Sequence, residues 1–198
     1  MANLEHLALA RRYAAGEQNI RLEMLDLSGA DLSGLDFSQA WLRDTDFSEA
    51  VLRGCRFVGA SMPGTNFSGA NLSGADLHGA IAAGAIFTQT TLIDTNLRAI
   101  DLYGAELSHA NLSRADLTQA DLSLVQAQHA IFAGAQVARI ILFKADLTYA
   151  NLQDTNLSQA ENVGGANFDH AHLPSQYQPA NHRRQIKTAP GFFGRKNR

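Results

Sequence analysis

The chain has 198 residues, of which 45% are hydrophobic and 18% charged, a composition that fits one soluble domain with a buried core. No segment approaches the roughly 18–20 apolar residues of a membrane span, and the amino-terminal stretch lacks a signal-peptide pattern. The net charge of −3 argues against a strongly basic nucleic-acid-binding body, and the single cysteine excludes an internal disulfide, so we expect a cytoplasmic protein.

Residues 1–19 are predicted to form an amino-terminal cap. Residues 4–15 have the pattern of a short helix, with Asn3 as a suitable N-cap and Gly16 as a stop. We expect the apolar stripe of this helix to cover the first turn of the domain that follows. The stripe consists of Leu4, Leu7, Ala8 and Ala15.

Residues 20–173 carry an internal repeat of five residues. From Leu22 to Leu157 a large apolar residue recurs at every fifth position, in 28 positions of one phase. We call it the central residue and number its neighbours −2, −1, +1 and +2. The smaller exceptions are Ala82, Ala127 and Val137. One extra residue follows Leu157, and then Val163, Phe168 and Leu173 resume the period.

A period of five fits neither an α-helix nor a simple strand, whose periods are about 3.6 and 2. It fits a chain in which each repeat contains one short extended segment and one turn. Four such repeats close a square coil of 20 residues, and stacked coils pair in parallel about 4.8 Å apart. The −2 and central residues then point inward, while −1, +1 and +2 point outward. This register predicts that the rings of Phe47, Phe67 and Phe87 stack inside.

The repeats also resemble a known family. The segments ADLSG (30–34), ANLSG (70–74) and ADLTQ (115–119) are similar to the A(D/N)LXX repeat of pentapeptide repeat proteins, and the resemblance covers about residues 20–173. It implies an all-β, right-handed quadrilateral β-helix, and the number of repeats predicts about seven to eight coils. The leader RRYAAGEQNI is similar to those of cyanobacterial members. Because one fold serves many functions, the resemblance alone assigns none.

One side of the coil is predicted to present large apolar residues to solvent. Its central residues are 42, 62, 82, 102, 122 and 142, and we call it the aromatic side. Clustered exposed apolar groups are typical of a binding surface, although single exposed apolar residues are also normal on proteins. The outward residues on this side are Trp41, Ile81, Tyr103, Leu124, Ile141 and Phe143.

The next side along the chain, which we call the acidic side, has carboxylates and no lysine or arginine. Asp and Asn at −1 have a structural interpretation, since they support turns. The resemblance suggests a second interpretation, because some quinolone-resistance members present an acidic, DNA-like rod to DNA gyrase. The sequence departs from those members, because it shows neither an obvious carboxyl-terminal dimerisation helix nor interrupting loops. The predicted acidic residues are Asp26, Asp46, Glu49, Glu106 and Asp146.

Residues 174–198 form a basic segment without acidic residues, which we predict to be extended or disordered. It could bind an anionic surface or nucleic acid, lie across an acidic coil, or serve as a solvated tail. The last coil is left uncovered in this prediction, so a further expectation is self-association there. The basic residues are Arg183, Arg184, Lys187, Arg195, Lys196 and Arg198.

The sequence contains no nucleophile elbow, P-loop or dinucleotide-binding fingerprint, so we expect no enzyme and no cofactor. His109 and His129 should stack on the acidic side with Tyr149 one coil further, without the additional ligands that a metal site needs. Cys55 occupies an inward −2 position as a small apolar filler. The leading hypothesis is a non-enzymatic scaffold that binds an unknown protein partner through the aromatic side. The alternative is an acidic mimic of DNA that binds gyrase or another DNA-binding protein.

Overall fold

The computed structural model describes residues 3–17 and 20–177. Within these ranges the helices are α1, Leu4–Ala14, and a short 3-10 helix, Leu157–Gln159. The other regular structure there is a series of parallel β-bridges, which runs from Asp26↔Asp46 to Asn151↔His172. Each bridge joins single residues, so the paired segment on each side is shorter than an ordinary strand.

The register of the bridges confirms the square coil. Bridged residues are 20 apart as far as Ile131↔Asn151 and 21 apart from Ile141↔Asn162 onward. Since a turn recurs every five residues, a spacing of 20 gives four sides per coil. The change to 21 confirms the predicted insertion after Leu157, and the 3-10 helix Leu157–Gln159 lies at this point.

Hydrogen bonding explains why each repeat prefers particular residue types. In the repeat 46–50, all five amide groups donate a hydrogen bond, so none is left unsatisfied. Three bonds run to the neighbouring coils, one closes the turn and one ends on the carboxylate at −1, which explains the frequent Asp or Asn there. The acceptors, in chain order of the donors, are Leu25 O (2.8 Å), Asn66 O (2.7 Å), Asp46 Oδ1 (2.8 Å), Ser68 O (2.8 Å) and Phe47 O (3.0 Å).

The +2 residue has a positive φ in every repeat from Met24 to Asp154 and again at Gly165 and His170, whereas Gln159 lies in the 3-10 helix and does not. The angle is 66° at Gly29, for example, and 59° at Glu49. This left-handed conformation suits a tight turn and costs a non-glycine residue roughly 1–2 kcal/mol, which explains the many glycines at +2. The turns therefore restrict +2 by conformation and −1 by hydrogen bonding.

The interior follows the predicted pattern. The Phe47 and Phe67 rings stack with centroids 5.2 Å apart, and those of Phe67 and Phe87 with centroids 4.9 Å apart, which confirms the predicted column. Polar residues at −2 are also accommodated, because their hydroxyls bond to backbone carbonyls. Thr65 Oγ1, for example, donates to the carbonyl of Leu42 at 2.8 Å.

Helix α1 begins as predicted but packs through a different face. The side chain of Asn3 accepts hydrogen bonds from the amides of Glu5 and His6, as expected of an N-cap. The predicted stripe is confirmed at Leu7 and wrong elsewhere, because Leu4 is 82% exposed and Ala8 and Ala15 are exposed as well. The residues that pack against the core are Leu7, Leu9, Ala10 and Tyr13.

Two polar contacts with the first coil explain this orientation of α1. The Nδ1 atom of His6 accepts the amide hydrogen of Asp26 at 2.8 Å. The hydroxyl of Tyr13 donates to the carbonyl of Ser38 at 3.0 Å. These bonds hold the His6–Tyr13 face against the coil, so Leu4 is turned toward solvent.

The first residues of the predicted tail pack against the last coil. Tyr177 is buried, and its ring centroid lies 6.1 Å from that of Phe168. Burial raises the pKa of the Tyr177 phenol. Part of the last coil is therefore covered by residues 174–177. Over the described ranges, no helix is long and apolar enough to cross a membrane.

Candidate functional site

The aromatic side carries most of the exposed apolar groups of the described chain. Of the nine large hydrophobic side chains exposed there, six lie on this one side of four. The most exposed of the predicted residues is Trp41, at 72%, whereas Ile141 is only partly exposed. The six exposed residues are Met24, Trp41, Ile81, Tyr103, Leu124 and Phe143.

The middle of the aromatic side is low and open. Gly84 and Gly104 occupy successive +2 positions, and a Cβ atom added to either would have no neighbour within 4 Å. Ile81 lies two coils after Trp41 at the same −1 position, and Tyr103 is the +1 residue of the next coil. A shallow cleft of about 290 Å³ lies beside Trp41, lined by Glu23, Trp41, Arg43 and Ser61.

Charged groups border the apolar residues without covering them. The Nζ atom of Lys144 lies 5.3 Å from the ring centroid of Phe143, a distance at which a cation interacts with an aromatic face. Phe143 itself extends over Gly164 of the following coil, because a Cβ at Gly164 would lie 3.5 Å from its ring. A charged group and an exposed ring are therefore in direct contact at this end of the aromatic side.

On the acidic side, the carboxylates at −1 are used by the turns. Asp26 Oδ1 accepts from the amide and hydroxyl of Ser28, and these bonds lower the pKa of Asp26. Asp46 Oδ1 accepts the amide of Ser48 at 2.8 Å. Burial of Asp146 tends to raise its pKa, but hydrogen bonds from Thr148 and Gln128 lower it overall. These aspartates therefore have a structural role.

The side chains of Glu49 and Glu106 are placed differently from those of the three aspartates. Glu49 is at +2, and its carboxylate lies over Gly69, in the space that a Cβ atom added there would occupy. Glu106 is exposed at −1. Asp169 extends the acidic side by one coil, and its amide donates to Asn167 Oδ1 at 3.0 Å. No lysine or arginine of the described ranges lies on this side.

A ladder of stacked rings runs along the acidic side at +2. The predicted stack of His109, His129 and Tyr149 is confirmed, with centroids 4.9 and 5.0 Å apart and planes within 1° of parallel. His170 continues it, with a centroid 4.8 Å from that of Tyr149. All four residues have positive φ, so they occupy positions where glycine is the easier choice.

The ladder does not have the geometry of a metal site. The lone pairs of imidazole nitrogens lie in the ring plane, so parallel stacked rings cannot direct them at one ion. Over the described residues, no group of three or more histidine, cysteine, aspartate or glutamate side chains is placed to hold a metal. Cys55 is fully buried, and burial raises its thiol pKa to about 11, as suits a packing residue.

The basic residues predicted in the tail, Arg183 to Arg198, lie outside the described residues. The predictions made for them stay predictions.

Comparison with known proteins identifies the family. The family model for pentapeptide repeats (8 copies) matches residues 18–49, 30–69, 50–89, 83–119 and 120–159, more than half of the chain. The chain belongs to the pentapeptide repeat family. Comparison with curated protein sequences finds no match.

Several solved structures of pentapeptide repeat proteins are similar to this one. QnrB1, a plasmid-mediated fluoroquinolone resistance protein, aligns with a TM-score of 0.64 at 20% identity, over 84% of this chain and 88% of QnrB1. HetL, involved in heterocyst differentiation regulation in the cyanobacterium Nostoc sp. strain PCC 7120, is 28% identical over 87% of this chain and 95% of HetL, with a TM-score of 0.32. At 20% identity, the likeness to QnrB1 concerns the fold.

Two features of this pentapeptide repeat protein were missed in the sequence. Met24 is 74% exposed on the aromatic side, at +2 of the first coil, and the register of the repeat could have placed it there. His170 joins the ladder 21 residues after Tyr149. The insertion after Leu157 already implied that spacing, so counting the register through it would have found His170.

Proposed function

We propose that this pentapeptide repeat protein is a non-enzymatic scaffold and that its aromatic side binds a protein partner. The observation that carries the proposal is the unequal distribution of exposed apolar side chains, six of nine on one side of four. Burying an exposed aromatic or aliphatic side chain contributes roughly 1.5–3 kcal/mol, so several on one side favour association. Tryptophan and tyrosine are also the residues that most often dominate binding energy.

A binding role suits the construction of the coil better than catalysis does. The central and −2 side chains fill the interior, and the conformation of +2 and the hydrogen bonds of −1 are largely set by the turns. The outward side chains at +1 are the ones that the turns leave free to vary. We propose the cytoplasm as the compartment, in line with the buried, unreactive thiol of Cys55.

The test is a binding experiment with a matched control. The variant Trp41→Ser, Tyr103→Ser and Phe143→Ser removes the large rings of the aromatic side. The control, Ile93→Ser and Ile131→Ser, removes apolar groups from another side. We expect partners captured from the native host to be lost by the first variant and kept by the control, with unchanged circular dichroism. Equal capture by both variants would refute the proposal.

A second candidate function is the acidic mimic of DNA. Its support is the acidic side, where carboxylates occur without a lysine or arginine among the described residues. The turn bonds of Asp26, Asp46 and Asp146 explain half of those carboxylates structurally, which weakens this candidate. This candidate function predicts that the purified protein inhibits DNA gyrase or another DNA-binding enzyme. Unchanged supercoiling at micromolar concentration of the protein would exclude gyrase as the target.

Self-association through the carboxyl-terminal coil is a further part of the proposal. Packing of Tyr177 against Phe168 covers some of that coil and so limits the surface available for it. Light scattering distinguishes the cases, since a strictly monomeric mass excludes self-association.

A further inference from the structure

The first coil of the solenoid has no coil before it to satisfy its backbone. Inside the solenoid, the amide of a −1 residue donates to a carbonyl of the preceding coil, as Asp46 does to Leu25 at 2.8 Å. Asp26 is the equivalent residue of the first coil. Its amide donates instead to Nδ1 of His6, also at 2.8 Å, and its carbonyl accepts the amide of Asn3 at 3.2 Å. The start of α1 therefore replaces the missing coil.

The bond to His6 depends on the protonation of its ring. A ring nitrogen accepts a hydrogen bond only when it carries no proton, and a backbone amide can only donate. A proton on Nδ1 would place two donors against each other at the position where the bond now forms. We propose that His6 is a proton-sensitive latch, which holds the amino-terminal cap on the first coil when its ring is neutral and releases the Asp26 amide when its ring is protonated.

The charged groups around the latch favour the release. The carboxylate of Asp26 belongs to the same residue as the amide, and Glu5 precedes His6 on α1. The Ser28 hydroxyl and amide bonds lower the pKa of Asp26, so this carboxylate stays ionised in mild acid. A protonated ring can thus leave the amide and turn toward a carboxylate nearby. Asp26 therefore has one group for each state of His6. Its amide donates to the neutral ring, and its carboxylate can accept from the protonated ring.

Release of the latch does not detach the whole cap. At the other end of α1, the Tyr13 hydroxyl remains bonded to the carbonyl of Ser38 at 3.0 Å, and Ala10 is fully buried. Protonation therefore opens the cap from its amino-terminal end. The opening leaves the amide of Asp26 without its acceptor, and an unpaired edge of this kind can pair with another chain.

Amide hydrogen exchange measured by NMR tests the latch with an internal reference. The Asp26 and Asp46 amides have the same place in the repeat, but only the acceptor of Asp26 can be protonated. Their exchange-rate ratio cancels the general effect of pH. In the full chain we expect the ratio, Asp26 over Asp46, to rise roughly 5- to 10-fold between about pH 8 and about pH 5, the range in which imidazoles commonly change charge.

Two variants make the expectation specific. In His6→Asn the amide oxygen lies near the position of Nδ1 and accepts without titrating, so the ratio should stay low at both pH values. In His6→Leu the acceptor is missing, so the ratio should be high at both. A pH-independent ratio in the wild type overturns the proposal, and so does an equal rise in His6→Asn or a low ratio in His6→Leu.

Discussion

The phenylalanine column predicts a large difference between two apparently similar substitutions. Phe67 and Phe132 are both central residues and both fully buried. The Phe67 ring stacks with Phe47 and Phe87 and meets Phe57 edge-on at 6.0 Å. Phe132 has no aromatic ring pair among the described residues. Replacing each by leucine removes similar apolar area, so the two variants differ mainly in ring contacts.

The magnitude follows from the number of contacts. An aromatic pair is worth roughly 0.5–1.5 kcal/mol beyond its buried area, so three pairs give a difference of roughly 1.5–4.5 kcal/mol. We therefore expect Phe67→Leu to lower the free energy of unfolding by this much more than Phe132→Leu. Coils in a solenoid contact only their neighbours, and both residues lie between two coils, so position along the rod does not explain such a difference.

The assay is unfolding in guanidinium chloride followed by circular dichroism at equal protein concentration. The slopes of the transitions should agree between the variants, so that the midpoints report stability. Equal midpoints for Phe67→Leu and Phe132→Leu would show that stacking adds nothing beyond burial and would refute the reasoning.

Three further predictions concern the ladder, the thiol and the turns. Tyr149→Gly should be less stable than Gln119→Gly by roughly 1–3 kcal/mol in the same unfolding assay. Both substitutions relieve a positive φ, but only the first removes two ring stacks. Equal stabilities would mean that the ladder contributes nothing to stability. Cys55 should resist a maleimide at about pH 8 and react only in denaturant, because burial raises its pKa to about 11; rapid labelling of the folded protein would contradict its burial. Hydrogen bonds from the serines two residues on lower the pKa values of Asp31 and Asp36. The two ionised carboxylates therefore stabilise the fold above the ordinary pKa range of aspartate, and this contribution is lost as the pH falls through the lowered pKa values. Replacing both by asparagine keeps the turn acceptors and should therefore reduce the stability lost between about pH 6 and about pH 2, as followed by thermal unfolding; an unchanged loss would show that these two carboxylates do not carry it.

The period of five predicted the coil, its register, the inward positions and the ring stacks, because each depends only on spacing along the chain. It predicted even the stack of His109 on His129. The packing face of α1 was mispredicted, since its apolar stripe admits more than one orientation. The choice is made by His6 and Tyr13, whose partners are backbone groups of the first coil. Such contacts leave no periodic pattern in the sequence. They can be identified only once the position of the first coil is known.

The hydrogen bonding of the repeat also indicates which outward positions are needed by the turns and which are not. A carboxylate at −1, such as Asp46, is needed by its own turn and is therefore weak evidence for an acidic partner site. A large side chain at +1 or +2 has no such task, and at +2 it is disfavoured by the positive φ. Leu124, exposed at φ 59°, and the ring ladder that ends at His170 place large side chains where the turn itself favours glycine. The turn does not explain these side chains, so under the proposed function they are the outward positions to test first for contact with a partner.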